Sequence, residues 1–311
     1  MKIDLLFACD ENYAPYAGVV LRSVWKNRNL GESFRVWFIS DGISEQTRVW
    51  LKNTFVQMEI SFLTLPSSFM ADAPIHNKHL SRAAYARLAM GSVLPKSVTR
   101  VIYMDCDVLV RHSLADLWSL DLQDKTLAGV EDWGIFLWRK QGLFVFPAGE
   151  HYVSSGLLLV NVDRWRELDC EKRCLAWLSK HADEIRFEDQ DVLNGALMGE
   201  IALLPARWDV VLHLSKHELA AKGAPAEWAE ALDNPYIIHF ASFNKPWREE
   251  CSLSYAAAFQ AYMKELGLPL KRMAWRVKWG KVLMYWKTHP VFFIKPKFWK
   301  TWRTKRWGVF F

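Results

Sequence analysis

Asp105 and Asp107 stand one residue apart inside VIYMDCDVLVR, residues 101–111, where an apolar run meets two carboxylates. On an extended chain, residues i and i+2 project to the same side, so both carboxylates face one volume. Paired carboxylates behind an apolar strand are costly without a counter-charge. Together they make a hard oxygen site suited to Mg²⁺ or Mn²⁺. A strand followed by a solvated turn would need no different residues, and Asp189 and Asp191 repeat the spacing elsewhere. The pair therefore defines a chemistry only if other groups converge on it.

The flanking elements place candidates for that convergence. KIDLLFAC, residues 2–9, reads as a strand, followed by a polar loop with Asp10, Asn12 and Tyr13 and by a helix over 14–27. RVWFIS (35–40) reads as a second strand and 60–65 as a third. Between them lie a turn capped by Ser44 and a helix over 45–54. Strand alternating with helix predicts a doubly wound α/β sheet, which binds ligands beyond the carboxyl ends of its strands. Asp10, Asn12, Asp105 and Asp107 all fall at such ends.

Further along, the sequence predicts a helix from His79–Ser81 to Gly91 that carries Arg87. Strands follow over 126–130, ending before Asp132, and over 153–162, where Gly156 marks a close backbone approach. Residues 133–149 are aromatic without a clear period, either core or an active-site lid. A helix spans 165–181, and the acidic EDQD at 188–191 opens another. His239 lies in the apolar strand 236–240, a loop with Lys245 and Trp247 follows, and 255–266 is helical.

The chain has 311 residues, 40 basic and 34 acidic, for a net charge of +6. Residues 271–311 hold twelve Lys or Arg and no acid. That leaves 28 basic against 34 acidic residues in 1–270, a formal −6. Five cysteines with no Cys-x-x-Cys pair, and no secretory signal, point to a reducing cytoplasm. No stretch is long and apolar enough to span a membrane.

Six stretches, FACDENY, YARL, VIYMDCDVLVRHSL, SGLLLVNVDRW, EDQDVLNG and IHFASFNKPW, occur in one order over residues 1–262. In this the chain resembles glycosyltransferase family 8, in particular bacterial lipopolysaccharide and lipooligosaccharide α-galactosyltransferases and α-glucosyltransferases. The resemblance implies a GT-A type α/β fold, a Rossmann-like nucleotide-binding sheet with helices on both faces, over residues 1–266. It implies a retaining transferase that moves a hexose, galactose before glucose, from a UDP-sugar to a lipopolysaccharide hydroxyl.

It also implies roles for particular residues. Asp105, Asp107 and His239 would ligate Mn²⁺, with Mg²⁺ the other cation that fits. Asp10, Asn12 and Tyr13 would hold the uridine. Arg87, Asp105, Asp132, Ser154, Ser242 and Lys245 would contact the donor sugar or diphosphate. Gln190 would lie near the anomeric carbon, and Asp189 would hold sugar hydroxyls. The family often has Asn where Ser154 stands and Gly where Ser242 stands. A catalytically silent nucleotide-sugar-binding protein of the same fold, or a metal-dependent nucleotidyltransferase, is the alternative function.

The tail, 267–311, forms its own segment. Trp275, Trp279, Val282 and Trp286 share one helical face, with Arg276, Lys278, Lys281 and Lys287 elsewhere around it. Lysines, arginines and tryptophans continue beyond Pro290 and Pro296. Basic residues among tryptophans suit an anionic membrane surface. Nucleic acid would use the same side chains, but no nucleic-acid fold motif accompanies them; packing on the main domain is the structural alternative. The expectation is a cytoplasmic enzyme held peripherally at the inner face of the cytoplasmic membrane.

Overall fold

Nine-residue strands β1 (Lys2–Asp10) and β2 (Ser33–Asp41) pair in parallel along their whole length, and β3 (Glu59–Thr64) extends the sheet beyond β2. This is a computed structural model, and it describes residues 1–66, 69, 85–134, 151–212, 216–221, 223–241 and 244–272. Helix α1 (Ala14–Asn27) links β1 to β2. Helix α2 (Glu45–Thr54) leads to β3, with Ser44 Oγ accepting from the Thr47 amide at its start. Both helices and the Ser44 cap coincide with the sequence expectation.

The sheet continues through β4 (Arg100–Met104), β6 (Leu127–Glu131), β7 (Val153–Asn161) and β8 (Ile201–Leu203), in the order β3-β2-β1-β4-β7-β6-β8. One strand departs from the parallel expectation: β7 runs antiparallel to both neighbours, β4 and β6. Antiparallel neighbours need no crossover helix, so the chain between β6 and β7 returns at the same sheet end. That end is where Asp105 and Asp132 lie. Eight of the nine residues of β7 are buried, as in a sheet covered on both faces.

A second sheet of three short strands has the order β5 (Val108–Val110), β10 (Ile237–His239), β9 (Val210–Val211). Between β3 and β4, a 3-10 turn over Ala86–Ala89 runs into α3 (Met90–Val93). Leu114 leads into α4 (Ala115–Trp118). The expected single helix over 165–181 is two helices, α5 (Val162–Glu167) and α6 (Cys170–His181). Asp169 separates them in the left-handed region at φ 49°, which a continuous helix does not accommodate. Helix α7 (Glu188–Ala196) carries the EDQD run in its first turn. Strands β8 and β9 and helices α8 (Lys216–Ala221) and α9 (Ala226–Asp233) have no counterpart in the sequence expectation.

Trp165, Cys170, Cys174, Leu178, Val192 and Leu193 of α5–α7 pack with Val101, Tyr103, Leu158 and Val160 of the sheet in one core. All five cysteines are free thiols. Residues 1–239 form one compact unit, and a second begins at Phe240. In the second, α10 (Ala256–Glu265) packs Phe259 edge-on against Phe240, with ring centroids 5.7 Å apart. Gln260 Nε2 donates to the carbonyls of Pro246 and Arg248. The expected tail helix and residues 273–311 lie outside the described residues.

Candidate active site

Strand register builds the site. The antiparallel pairing of β10 with β5 sets His239 opposite Val108, the residue that follows Asp107. Pairing of β4 with β7 sets Met104 opposite Leu157, and the Asp105 amide donates to the Gly156 carbonyl at 2.9 Å. Asp105, Asp107 and His239 thus meet, with one ligand atom from each lying within 4.8 Å of the others. His239 Nε2 is 3.4 Å from Asp107 Oδ1 and 3.8 Å from Asp105 Oδ2.

Gly156 makes room for the imidazole. A Cβ on Gly156 would lie 2.0 Å from His239 Cε1, so no side chain fits while the ring stays there. Burial works to keep the His239 ring neutral, but Asp209 and then Asp107 raise its pKa well above the ordinary imidazole value. Two carboxylates and an imidazole whose ligand atoms lie this close together are a donor set that fits Mn²⁺ or Mg²⁺. The residues present therefore suit the divalent metal that this site implies.

Arg87 joins the Asp105–Asp107–His239 cluster to the expected sugar site. Its guanidinium is buried, donates to Asp105 Oδ1 at 2.8 Å and to the Ser155 carbonyl at 2.6 Å, and forms an ion pair with Asp189 at 3.1 Å. It also lies 4.2 Å from the ring centroid of Tyr103, whose hydroxyl donates to the same Asp105 oxygen. Burial raises the Asp189 carboxyl to about 6, with Arg87 pulling it down and Asp105 pushing it up. Arg87 pairs with Asp105 and Asp189, whereas Asp132 takes other partners.

Gln190 is held in one orientation. Its Oε1 accepts from the Ser155 amide at 3.0 Å, and its Nε2 donates to Asp132 Oδ2 at 3.0 Å and to the Tyr152 hydroxyl at 3.3 Å. Asp132 also accepts from the Gly134 amide. Three residues that the sequence reading left out support this clamp. The Tyr152 hydroxyl donates to Asp191 Oδ1, while Asp191 Oδ2 accepts from the amides of Arg186 and Phe187. Asn194, fully buried, bonds both the amide and the carbonyl of Val153 and the carbonyl of Gln190. The signal for Asn194 was present: it lies four residues along a helix from Gln190 and three from Asp191, in an otherwise apolar run.

The remaining site residues lie as follows. Asp10 Oδ1 accepts from the amides of Asn12 and Tyr13, and Asn12 Nδ2 reaches Asp10 Oδ2. Asn12 therefore does not cap α1; Asp10 orders the loop before it, and the N-cap position is Tyr13. Tyr13 is 42% exposed, in the loop that follows β1. Ser154 is buried, accepts from the Gly156 amide, and lines a cavity with Asp132, Asp209 and Trp228. Lys245 belongs to the second unit, where its Nζ donates to the Phe240 carbonyl. Ser242 and residues 135–149 of the aromatic stretch, expected as core or lid, lie outside the described residues.

The mixed, parallel-rich sheet has the GT-A fold, with the Asp-x-Asp pair at the carboxyl end of its strands. The chain belongs to glycosyl transferase family 8, whose sequence profile matches residues 4–251. General stress protein A of Bacillus subtilis is 28% identical over 267 residues, spanning 83% of this chain and 92% of that one. The lipopolysaccharide 1,2-glucosyltransferase of Escherichia coli is 23% identical, over 79% of this chain and 73% of its own length. Galactosyltransferase LgtC, solved in complex with donor and acceptor sugar analogs, superposes with a TM-score of 0.75 at 27% identity. That match covers 89% of this chain and 99% of LgtC.

Proposed function

We propose that this chain transfers a hexose, galactose before glucose, from a UDP-sugar to a hydroxyl of a lipopolysaccharide or lipooligosaccharide acceptor, with retention at the anomeric carbon. The observation that carries the reading is the meeting of Asp105, Asp107 and His239 on one side of Arg87 with Asp189 on the other. Similarity to LgtC and to the lipopolysaccharide glucosyltransferase supports the sugar and the acceptor class.

Asp105, Asp107 and His239 would hold Mn²⁺, or Mg²⁺ in its place. Bound there, the cation supplies Lewis acidity to the departing diphosphate. Asp10, Asn12 and Tyr13 bind the uridine, while Arg87 sets positive charge near the diphosphate. Asp132, Ser154 and Asp189 take sugar hydroxyls. The Gln190 amide, neutral and fixed, stands near the anomeric carbon where a retaining glycosidase would place a carboxylate. The bond from that carbon to the diphosphate breaks, the acceptor oxygen bonds on the same face, and the acceptor proton passes to the diphosphate oxygen.

Incubation with UDP-galactose or UDP-glucose, Mn²⁺ and core oligosaccharide, with the product read by NMR, tests this. An α-linked product is expected; a β-linkage contradicts retention. Transfer of nucleotide rather than sugar would favour the nucleotidyltransferase alternative, and binding without turnover the silent one.

The transferase domain in this reading is residues 1–266. The tail, 267–311, brings it to the inner face of the cytoplasmic membrane. Each Lys or Arg near an anionic surface contributes about 1 kcal/mol, and the tail's six tryptophans suit the headgroup level. Among the described residues no helix is long and apolar enough to cross a membrane. Full-length protein should sediment with anionic liposomes at low salt and a chain ending at Leu270 should not; equal behaviour of the two contradicts the reading.

A further inference from the structure

We propose that Asp209 is a positioning residue for the metal centre, accepting a hydrogen bond from His239 Nδ1–H so that Nε2 points at Asp105 and Asp107. The inference rests on the metal reading of the site given above.

Asp209 follows the 3-10 turn Ala206–Trp208 and precedes β9, which pairs in parallel with β10 and sets His239 opposite Val211. Its side chain is wholly buried, and Oδ1 lies 3.2 Å from His239 Nδ1. Among the described residues neither Asp209 oxygen nor His239 Nδ1 has a hydrogen bond of good geometry, so the 3.2 Å approach is the polar contact each has in reach. A buried carboxylate with no other partner is expensive, so its retention calls for a group that uses it. The imidazole is the group in reach.

The two ring nitrogens face opposite demands. Nε2 lies among the two candidate ligand carboxylates, and a metal ligand must present a lone pair there. The proton of a neutral ring must then sit on Nδ1, and an acceptor beside Nδ1 fixes that tautomer. Asp209 supplies the acceptor, while Gly156 lets the ring lie against the β7 backbone. Asp209 approaches the opposite edge of the ring from the cluster, so it acts through His239 and is not itself a ligand.

The test is Mn²⁺ binding to the full-length protein without donor, followed by the EPR signal of free Mn²⁺. Asp209→Ala should weaken Mn²⁺ binding by about 10- to 100-fold. Asp209→Asn, whose amide oxygen still accepts from Nδ1–H, should stay within about threefold of wild type. Wild-type affinity in Asp209→Ala, or equal loss in both variants, overturns the proposal. Should Asp209→Ala fail to fold, long-range ¹H–¹⁵N spectra of Cd²⁺-loaded wild type decide, with the His239 signals identified by their loss in His239→Gln. The proton is expected on Nδ1; a proton on Nε2 overturns the assignment. Wild type that binds no Mn²⁺ would sink the metal reading itself, a failure distinct from that of Asp209.

Discussion

Arg87 and Asp189 form a buried ion pair at 3.1 Å, and the same guanidinium holds Asp105 at 2.8 Å. One cation therefore serves a carboxylate of the Asp105–Asp107–His239 cluster and the carboxylate beside Gln190. Arg87→Ala would leave two acids, Asp189 buried and Asp105 partly so, without their counter-charge. Removing one partner of a buried pair costs about 3–5 kcal/mol. Thermal unfolding of the variant should show a loss of that order; a wild-type melting curve would contradict the bridging role.

The Gln190 clamp predicts a kinetic split. Gln190→Ala removes a neutral, preoriented amide and should lower kcat about a hundredfold with little change in donor KM. Asp189→Ala should impair both, because Asp189 holds the sugar in the ground state as well. Steady-state kinetics with a UDP-sugar separates the two; wild-type kcat in Gln190→Ala removes the amide from the reaction.

Gly156→Ala puts a methyl group 2.0 Å from the resting position of His239 Cε1. The ring must move, at an overpacking cost of about 1–3 kcal/mol. Mn²⁺ affinity should fall about tenfold or more, because the imidazole leaves the ligand set. Calorimetric titration with Mn²⁺ measures this, and unchanged affinity would show that His239 is not a ligand.

Much of this site was legible in the sequence, for a physical reason. Asp105, Asp107 and Gly156 sit on or beside apolar strands, where a carboxylate or a missing side chain stands out against its neighbours. The boundaries of α1 and α2 followed from apolar spacing and the Ser44 cap. Asp209 was not legible: it lies between a 3-10 turn and a two-residue strand, too short for any period. The antiparallel course of β7 was hidden too, since a strand buried on both faces reads alike in either direction. The Arg87 bridge needed the fold, because Ser155, Asp105 and Asp189 come from three separate elements.

Glu188 gives the pH signature. Burial first, then Asp189 and Asp191, lift its carboxyl from the ordinary 4.5 to about 7. The folded state therefore binds its proton more tightly than the unfolded chain does. The contribution of Glu188 to stability is fully present below about pH 4.5 and is lost as the pH rises through about 7. Glu188→Gln should raise the melting temperature at pH 8 and do so less at pH 5. An equal shift at both values would show that Glu188 does not titrate in this range.

The most direct measurement of the central claim is UDP release from UDP-galactose and UDP-glucose by full-length protein, with Mn²⁺ and after chelation, for wild type and Asp107→Ala. Wild type with Mn²⁺ should release UDP from at least one donor. Chelation and Asp107→Ala should each lower the rate about a hundredfold or more, as loss of several kcal/mol of Lewis-acid stabilisation requires. Full activity in chelator, or in Asp107→Ala, would contradict a metal-assisted transfer at Asp105, Asp107 and His239.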